Sequence, residues 1–122
     1  MYPNLIAIAR AAYGAYADKD RAAIEALIAD DFHFTSPLDN RIDRATYFAR
    51  CWPNNAMIAG YNFISIAADG DRLFVANTSG KRFRNTEILT VRNGKIVDVE
   101  VYFGWSIPHG AAEGGFVDPS KP

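Results

Sequence analysis

The pattern of apolar and polar positions divides the chain into a helix-forming first half and a strand-forming second half. Over residues 4–17 the apolar positions recur at spacings of three and four, which predicts a first helix. Tyr13 is predicted to lie off the apolar stripe of this helix. The stripe itself consists of Leu5, Ile8, Ala12 and Tyr16.

A second helix and a short strand are predicted next. Asp20 can cap the second helix, and Asp30 and Asp31 are predicted to end it. The apolar face of this helix would comprise Ile24, Leu27 and Ile28. Residues 32–36 alternate with a period of two before Pro37, which predicts a strand. One side of that strand carries Phe32, Phe34 and Ser36.

Residues 38–42 are predicted to form a loop, and Asp43 can then cap a third helix. This helix is predicted to end before Pro53, because a proline disfavours helical angles in the residue that precedes it. The third helix carries Tyr47, Phe48, Cys51 and Trp52.

Strand-forming segments follow at residues 61–67, 73–78 and 82–105, with polar turns between them. The last segment is divided by Asn93-Gly94, the dipeptide that most readily adopts a tight type I′ turn, so it is predicted to be a hairpin. Four consecutive strands joined by short turns predict an antiparallel meander. Helices followed by strands predict an α+β fold in which one face of the sheet packs on the helices.

Length and composition indicate one globular domain. The 122 residues leave no room for a second domain, and we place the domain at residues 1–107 with an extended tail at residues 108–122. The net charge of -1 and the absence of a basic cluster argue against a nucleic-acid partner. No apolar run is long enough for a membrane span, and the N-terminus lacks the pattern of a signal peptide. With a single cysteine, Cys51, the sequence predicts a cytoplasmic protein.

The hairpin contains the main functional clue. Alternation predicts that Glu87 lies on the inner face of the sheet, among hydrocarbon side chains. Burial would raise the pKa of this carboxyl group, which makes it either a neutral hydrogen-bond donor or a base poised near neutral pH. Alternatively, Glu87 pairs with Arg82 or Arg84 at the rim, or a bulge turns it toward solvent. The inner face would carry Glu87, Leu89 and Val91 on one strand and Val99, Val101 and Phe103 on the other.

No cofactor and no metal are predicted. His33 and His109 have no partners in the sequence at the spacing of a metal site, and no Gly-rich loop follows a strand. Cys51 is interpreted as an inert core thiol.

The order of these elements resembles the nuclear transport factor two-like superfamily and, within it, the SnoaL-like and ketosteroid isomerase-like proteins. The most similar pieces are ADDFHFTSP at residues 29–37 and NGKIVDVEVYFGW at residues 93–105, and the likeness covers residues 4–107. It implies a cone-shaped, curved, mostly antiparallel sheet wrapped around three N-terminal helices, a cystatin-like roll. The resemblance also implies a small apolar ligand in the mouth of the cone and a homodimer formed through the outer faces of the sheets.

The resemblance identifies three positions at which enzymes of the superfamily have a functional acid. Glu87 matches the acid that donates to the oxyanion in the steroid isomerases of the superfamily, and Ser36 stands where those enzymes have their proton-shuttling aspartate. Val101 stands where the limonene epoxide hydrolases of the superfamily have an aspartate on the last strand. Neither mechanism therefore transfers as a whole.

The oxyanion tyrosine of the steroid isomerases falls opposite Ala12 when the first helices are aligned by their ends. Tyr13 is one position away and Tyr16 one turn further on. The resemblance therefore leaves the tyrosine role unassigned.

Glu87 is the candidate catalytic residue, and the inner face provides the candidate ligand-binding residues. Two alternatives remain open: Tyr16 and Trp52 as core aromatics, and Ser36 as a turn residue that binds its own backbone. The full set of ligand-binding candidates is Tyr16, Phe34, Ser36, Trp52, Leu89, Val101 and Phe103.

Three functions fit this sequence. The first is an enzyme that moves a proton on a small apolar substrate, in an isomerisation, an aldol-type cyclisation or a dehydration. The second is a module that binds such a molecule without transforming it, and the third is a dimerising domain whose interior is filled by its own side chains. In the dimer, Tyr102 is the predicted anchor and Glu100 needs a basic partner.

Overall fold

The computed structural model describes residues 4–53, 62–79 and 83–103, except for the side chains at positions 79, 83, 84 and 103. The predicted tail at residues 108–122 lies outside the described residues. The helices are α1 (Leu5–Asp18), α2 (Arg21–Leu27) and α3 (Arg44–Arg50). The strands are β1 (Ile28–Ser36), β2 (Asp39–Asp43), β3 (Asn62–Asp69), β4 (Arg72–Ser79), β5 (Phe83–Arg92) and β6 (Lys95–Phe103).

Each helix begins at a polar cap, and two of these caps were predicted. Asp20 accepts a hydrogen bond from the backbone of Ala23 at 3.1 Å, and Asp43 accepts one from Thr46 at 2.8 Å. Asn4 caps α1 in the same way. None of the helices that the structure describes has the length and apolar character needed to cross a membrane.

The six strands form one curved, unclosed mixed sheet in the order β2-β1-β6-β5-β4-β3. Strands β3 to β6 form the predicted antiparallel meander. Strand β1 pairs with β6 in parallel and carries β2 at the edge of the sheet. The predicted fold class, an α+β cone of mostly antiparallel strands with three helices, is confirmed.

The prediction was wrong about where the second helix ends. Ile28 was assigned to the helix, and Asp30 and Asp31 were assigned to its end. In the structure α2 ends at Leu27, and Ile28 already pairs with Ile96 of β6. Both aspartates lie within β1 and are exposed, because the register between β1 and β6 shifts after Ile28. Pairing with a strand distant in sequence therefore overrides the local signal.

The predicted loop at residues 38–42 was also partly wrong. Most of it belongs to β2, whose Ile42 and Asp43 lie opposite Phe34 and His33 of β1. A short polar edge strand has no alternating apolar pattern to reveal it, because its pairing is supplied by the neighbouring strand.

The core lies between the sheet and the helices, and it includes Tyr13, which is only 8% exposed. Tyr13 was predicted to lie off the buried stripe of α1. The buried face of α1 is wider than the predicted stripe, because it also includes Ala9, Tyr13 and Ala15. The core further includes Ala12, Ala15, Ile24, Ile28, Phe32, Tyr47, Phe48, Leu73, Val75, Leu89, Val91 and Ile96.

A β-bulge in β6 determines which side chains of the hairpin share a face. Next to the turn Val91 faces Ile96, but the next pair is Thr90 and Asp98, so Val97 is an extra residue without a partner in β5. An unbulged two-residue hairpin would place Leu89 opposite Asp98 instead.

Beyond the bulge, Leu89 faces Val99 and Glu87 faces Val101. Without it, Glu87 would face Glu100. The extra residue therefore brings the apolar residues of β5 and β6 to one side, together with a single acid.

The hairpin turn yields the first prediction. Asn93 and Gly94 have φ angles of 54° and 77°, a region that disfavours side chains with a Cβ atom. We expect Gly94→Ala to lower the free energy of unfolding by about 1–2 kcal/mol. Urea unfolding followed by circular dichroism measures this change.

Asn93→Gly is the matched control, because it changes the other turn position without adding strain. Equal losses of stability in both variants would contradict the role assigned to the positive φ angle of Gly94.

Candidate functional site

The carboxyl group of Glu87 lies between the sheet and α1, where two neutral donors hold it. The Tyr13 hydroxyl donates a hydrogen bond to Oε2 of Glu87, and the side-chain amide of Asn77 donates a second one to the same oxygen at 3.1 Å. Asn85 lies on the same face of β5, two residues from Glu87 and directly opposite Asn77. We call Tyr13, Asn77, Asn85 and Glu87 the Glu87 cluster.

Regular elements position each member of the cluster. Glu87 lies opposite Val75 of β4 and Val101 of β6, both buried. Tyr13 reaches the sheet from the buried face of α1, and its ring packs edge-on against Phe63 with 5.3 Å between centroids. The acid is therefore held on a rigid scaffold and not on a loop.

Burial determines the electrostatics of Glu87. The loss of hydration raises the pKa of this carboxyl group above its ordinary value, while the hydrogen bonds from Tyr13 and Asn77 act in the opposite direction. Burial outweighs the two bonds, so the group gains a proton at higher pH than an exposed glutamate would.

Both hydrogen bonds fall on Oε2. Among the residues that the structure describes, Oε1 of Glu87 has no hydrogen-bond partner. The residue as a whole is only half-buried. One oxygen of the carboxyl group is thus anchored and the other is available for proton exchange.

A group of aromatic side chains adjoins the cluster and contains three of the predicted ligand-binding residues. The Tyr47 hydroxyl donates a hydrogen bond to the Tyr16 hydroxyl. Trp52 packs edge-on against Tyr16 with 5.0 Å between ring centroids, and Phe34 lies 5.2 Å from Tyr47 by the same measure. The structure therefore brings Tyr16, Trp52 and Phe34 together through Tyr47.

The two hydroxyl groups of this aromatic group remain protonated. Burial raises the pKa of Tyr16 and that of Tyr47 well above the ordinary range of tyrosine, and the negative charge of Glu87 contributes a smaller part of both increases. Tyr16 follows Tyr13 by three residues on α1, so the two side chains are neighbours on the helix surface.

The structure places the other predicted site residues as follows. Ser36 lies at the turn between β1 and β2, where its hydroxyl accepts a hydrogen bond from the backbone of Leu38 at 3.1 Å. Leu89 and Val101 are buried in the inner face of the sheet. Phe103 ends β6, and its side chain is outside the described part of the structure. A role of these residues in ligand binding stays a prediction.

Four residues of the site, Tyr13, Asn77, Asn85 and Tyr47, were not predicted from the sequence. Tyr13 was placed off the buried stripe, although it is adjacent to the position that the family resemblance assigns to a tyrosine. Asn77 was not assigned to the site, yet a polar residue that continues the alternation of Leu73 and Val75 was a usable signal. Tyr47 was predicted to be on the third helix, but only its distant partner Tyr16 reveals its polar role.

Cys51 is a poor candidate for a nucleophile. Burial, together with the nearby carboxylate of Asp39, raises the pKa of its thiol to about 11, so the reactive thiolate is scarce at neutral pH. Within the described residues, no group of three or more His, Cys, Asp or Glu side chains could hold a metal ion.

The sequence profile of the SnoaL-like domain matches residues 9–99. The chain therefore belongs to the SnoaL-like family. A comparison with curated proteins finds no match.

Solved structures share the fold. An NTF2-like protein of unknown function from Cytophaga hutchinsonii has a TM-score of 0.70 and 15% identity, over 84% of this chain and 92% of its own. An LEH-like epoxide hydrolase from M. tuberculosis has a TM-score of 0.66 and 21% identity, over 80% of each chain.

A candidate ketosteroid isomerase from Kribbella flavida has a TM-score of 0.65 and 22% identity, over 94% of this chain and 90% of its own. At these identities the likeness establishes the fold alone, and proteins with different reported reactions share it.

The hydrogen bond from Tyr13 generates the second prediction. This bond favours the charged form of Glu87, so Tyr13→Phe should raise the pKa of Glu87 further. Carbon NMR titration of the Glu87 carboxyl group measures this value. Because the folded protein then holds the proton to higher pH than the unfolded chain, stability should fall as pH rises between the two pKa values. That interval should be wider in the variant.

Tyr102→Phe removes an equivalent hydroxyl group from the exposed outer face, where Tyr102 donates a hydrogen bond to Glu100 at 2.6 Å. It should leave the titration of Glu87 unchanged. A pKa of Glu87 at or below its ordinary value in the unaltered protein would contradict the electrostatics described above.

Proposed function

We propose that the protein is a small-molecule enzyme of the SnoaL-like family in which Glu87 moves a proton on a ligand bound between the helices and the inner face of the sheet. The observation that carries the proposal is the geometry of this carboxyl group. One of its oxygens is fixed by Tyr13 and Asn77, the other is unpartnered among the described residues, and burial raises the pKa of the group.

The chemistry that suits this geometry is abstraction of a proton from carbon next to a carbonyl group. Oε1 of Glu87 takes the proton, the C–H bond breaks, and its electron pair becomes part of an enolate. Return of the proton to another carbon completes an isomerisation. Attack of the enolate carbon on a second carbonyl gives an aldol-type cyclisation, and loss of a β-hydroxyl group as water gives a dehydration.

The enolate oxygen needs a hydrogen-bond donor, and Tyr16 is the best placed candidate. Its hydroxyl accepts a hydrogen bond from Tyr47, which leaves its own hydrogen free to donate. A hydroxyl that accepts one hydrogen bond becomes a stronger donor in the next. The raised pKa of Tyr16 keeps that hydrogen in place at neutral pH.

The third prediction tests this role. We expect the protein to accelerate exchange of the acidic α-hydrogens of β-tetralone, a small bicyclic ketone, in heavy water. Glu87→Gln preserves the size of the side chain but cannot accept the proton, so the protein-dependent exchange should fall at least a hundredfold. Proton NMR follows the loss of the α-hydrogen signal.

Glu25→Gln is the matched control, since it removes one negative charge from α2, where Glu25 forms an ion pair with Arg21 at 3.0 Å. The Glu25→Gln variant should accelerate exchange of the α-hydrogens as much as the unaltered protein does. Undiminished exchange in Glu87→Gln would exclude Glu87 as the base.

The second candidate function is a dimerising module, and it is favoured by apolar side chains exposed on the sheet. Tyr102 is 51% exposed and Ile64 is 64% exposed. We propose that the outer face of the sheet joins two copies of the chain, with Tyr102 in the interface. This contact is compatible with catalysis on the inner face.

The fourth prediction concerns this contact. Tyr102→Glu should convert a dimer into a monomer, because a buried, unpaired carboxylate at the interface costs several kcal/mol. Sedimentation velocity measures the change, and Ile6→Glu, on the exposed side of α1, is the control. A monomer in the unaltered protein would exclude the dimer.

A further inference from the structure

Two amide oxygens next to Glu87 lack hydrogen-bond donors. Oδ1 of Asn77 and Oδ1 of Asn85 are both buried, and neither has a hydrogen-bond partner among the described residues. The two residues lie directly opposite each other on β4 and β5. Asn77 is completely buried, whereas Asn85 is half-buried.

This pair is unfavourable for the unliganded protein. A buried polar oxygen that has lost water without gaining a donor costs about 1–3 kcal/mol. The large majority of buried polar atoms in folded proteins have a partner, so two unpartnered atoms at one place need an explanation. The amide nitrogen of Asn77 is already used, because it donates to Glu87. The two oxygens therefore remain as acceptors.

We propose that the Glu87 cluster recognises a ligand that carries a hydroxyl or amino group, and that the amide oxygens of Asn85 and Asn77, which lack donors among the described residues, accept hydrogen bonds from it. This inference rests on the proposed function, since it specifies the ligand of the same site. It replaces the purely apolar ligand expected from the sequence with an apolar molecule that bears a hydrogen-bond donor.

The surroundings of the pair fit such a molecule. Apolar and aromatic side chains, among them Phe63, Val75 and Val101, flank the polar cluster on the inner face. A site of this composition binds the hydrocarbon part of a ligand by burial and orients it by a few polar contacts. The donor on the ligand would satisfy oxygens that no described residue of the free protein satisfies.

Two matched probes test the inference. β-Naphthol and its methyl ether share one aromatic skeleton, but only the naphthol can donate a hydrogen bond. We expect the naphthol to bind about tenfold more tightly than the ether, in line with one gained hydrogen bond and one satisfied buried acceptor. NMR titration of the backbone and side-chain amide signals measures both dissociation constants.

Variants of Asn85 assign the preference to this residue, whereas a change at Asn77 would also disturb Glu87. In Asn85→Leu and in Asn85→Ala the ratio of the two dissociation constants should fall to about one. Asn40→Leu, the same change at an exposed position of β2, should keep the tenfold ratio. The alanine variant serves if the leucine variant does not fold.

Asn85→Leu should also be at least as stable to urea as the unaltered protein, because it removes an acceptor that has no donor. A loss of stability with an unchanged binding ratio would make Asn85 a structural residue and overturn the inference. Equal binding of the two probes to the unaltered protein, or no binding of either, would also overturn it.

These outcomes differ from a failure of the proposed function. Unequal binding of the probes together with undiminished exchange in Glu87→Gln would preserve the ligand class and exclude the catalytic base. Equal binding of the two probes together with lost exchange in Glu87→Gln would exclude the ligand class and preserve the catalytic base.

Discussion

The residues of β6 that surround the Glu87 side chain depend on one extra residue in that strand. Because Val97 has no partner in β5, the remainder of β6 is shifted by one position, and Glu87 faces Val101 instead of Glu100. The same shift places Asp98 and Glu100 on the outer face and Val99 on the inner face. A bulge thus reconciles a tight hairpin turn with an apolar inner face and leaves one acid inside it.

Three energetically unfavourable polar groups lie close together around that acid. A carboxyl group with a raised pKa and two amide oxygens without donors lie on three neighbouring positions of β4 and β5. Around them the inner face is hydrocarbon, with Leu73 and Val75 completely buried. The polar groups at Glu87 destabilise the fold, and the apolar core around them compensates for that cost. This combination is typical of ligand sites.

Local chemistry made much of the fold predictable, and long-range pairing limited the rest. Helix caps and the Asn93-Gly94 turn act over a few residues, so they were correctly predicted. Strand β2 depends on its pairing with β1, and the first residues of β1 depend on pairing with β6, which is distant in sequence. The prediction of the Glu87 cluster was limited in the same way. Alternation placed Glu87 on the inner face, but a single sequence does not show that Tyr13 and Asn77 contact it.

In the proposed mechanism the two tyrosines of α1 have different roles, Tyr13 toward Glu87 and Tyr16 toward the ligand. The hydroxyl of Tyr13 is committed to Glu87, and a donor on a carboxyl oxygen favours the ionised form of that group. Glu87 in this environment is better suited to accept a proton than to act as a permanently neutral donor. Tyr16, one helical turn further and supported by Tyr47, retains a hydrogen for an oxygen of the ligand. The proposed mechanism therefore assigns proton abstraction to Glu87 and stabilisation of the resulting enolate to Tyr16.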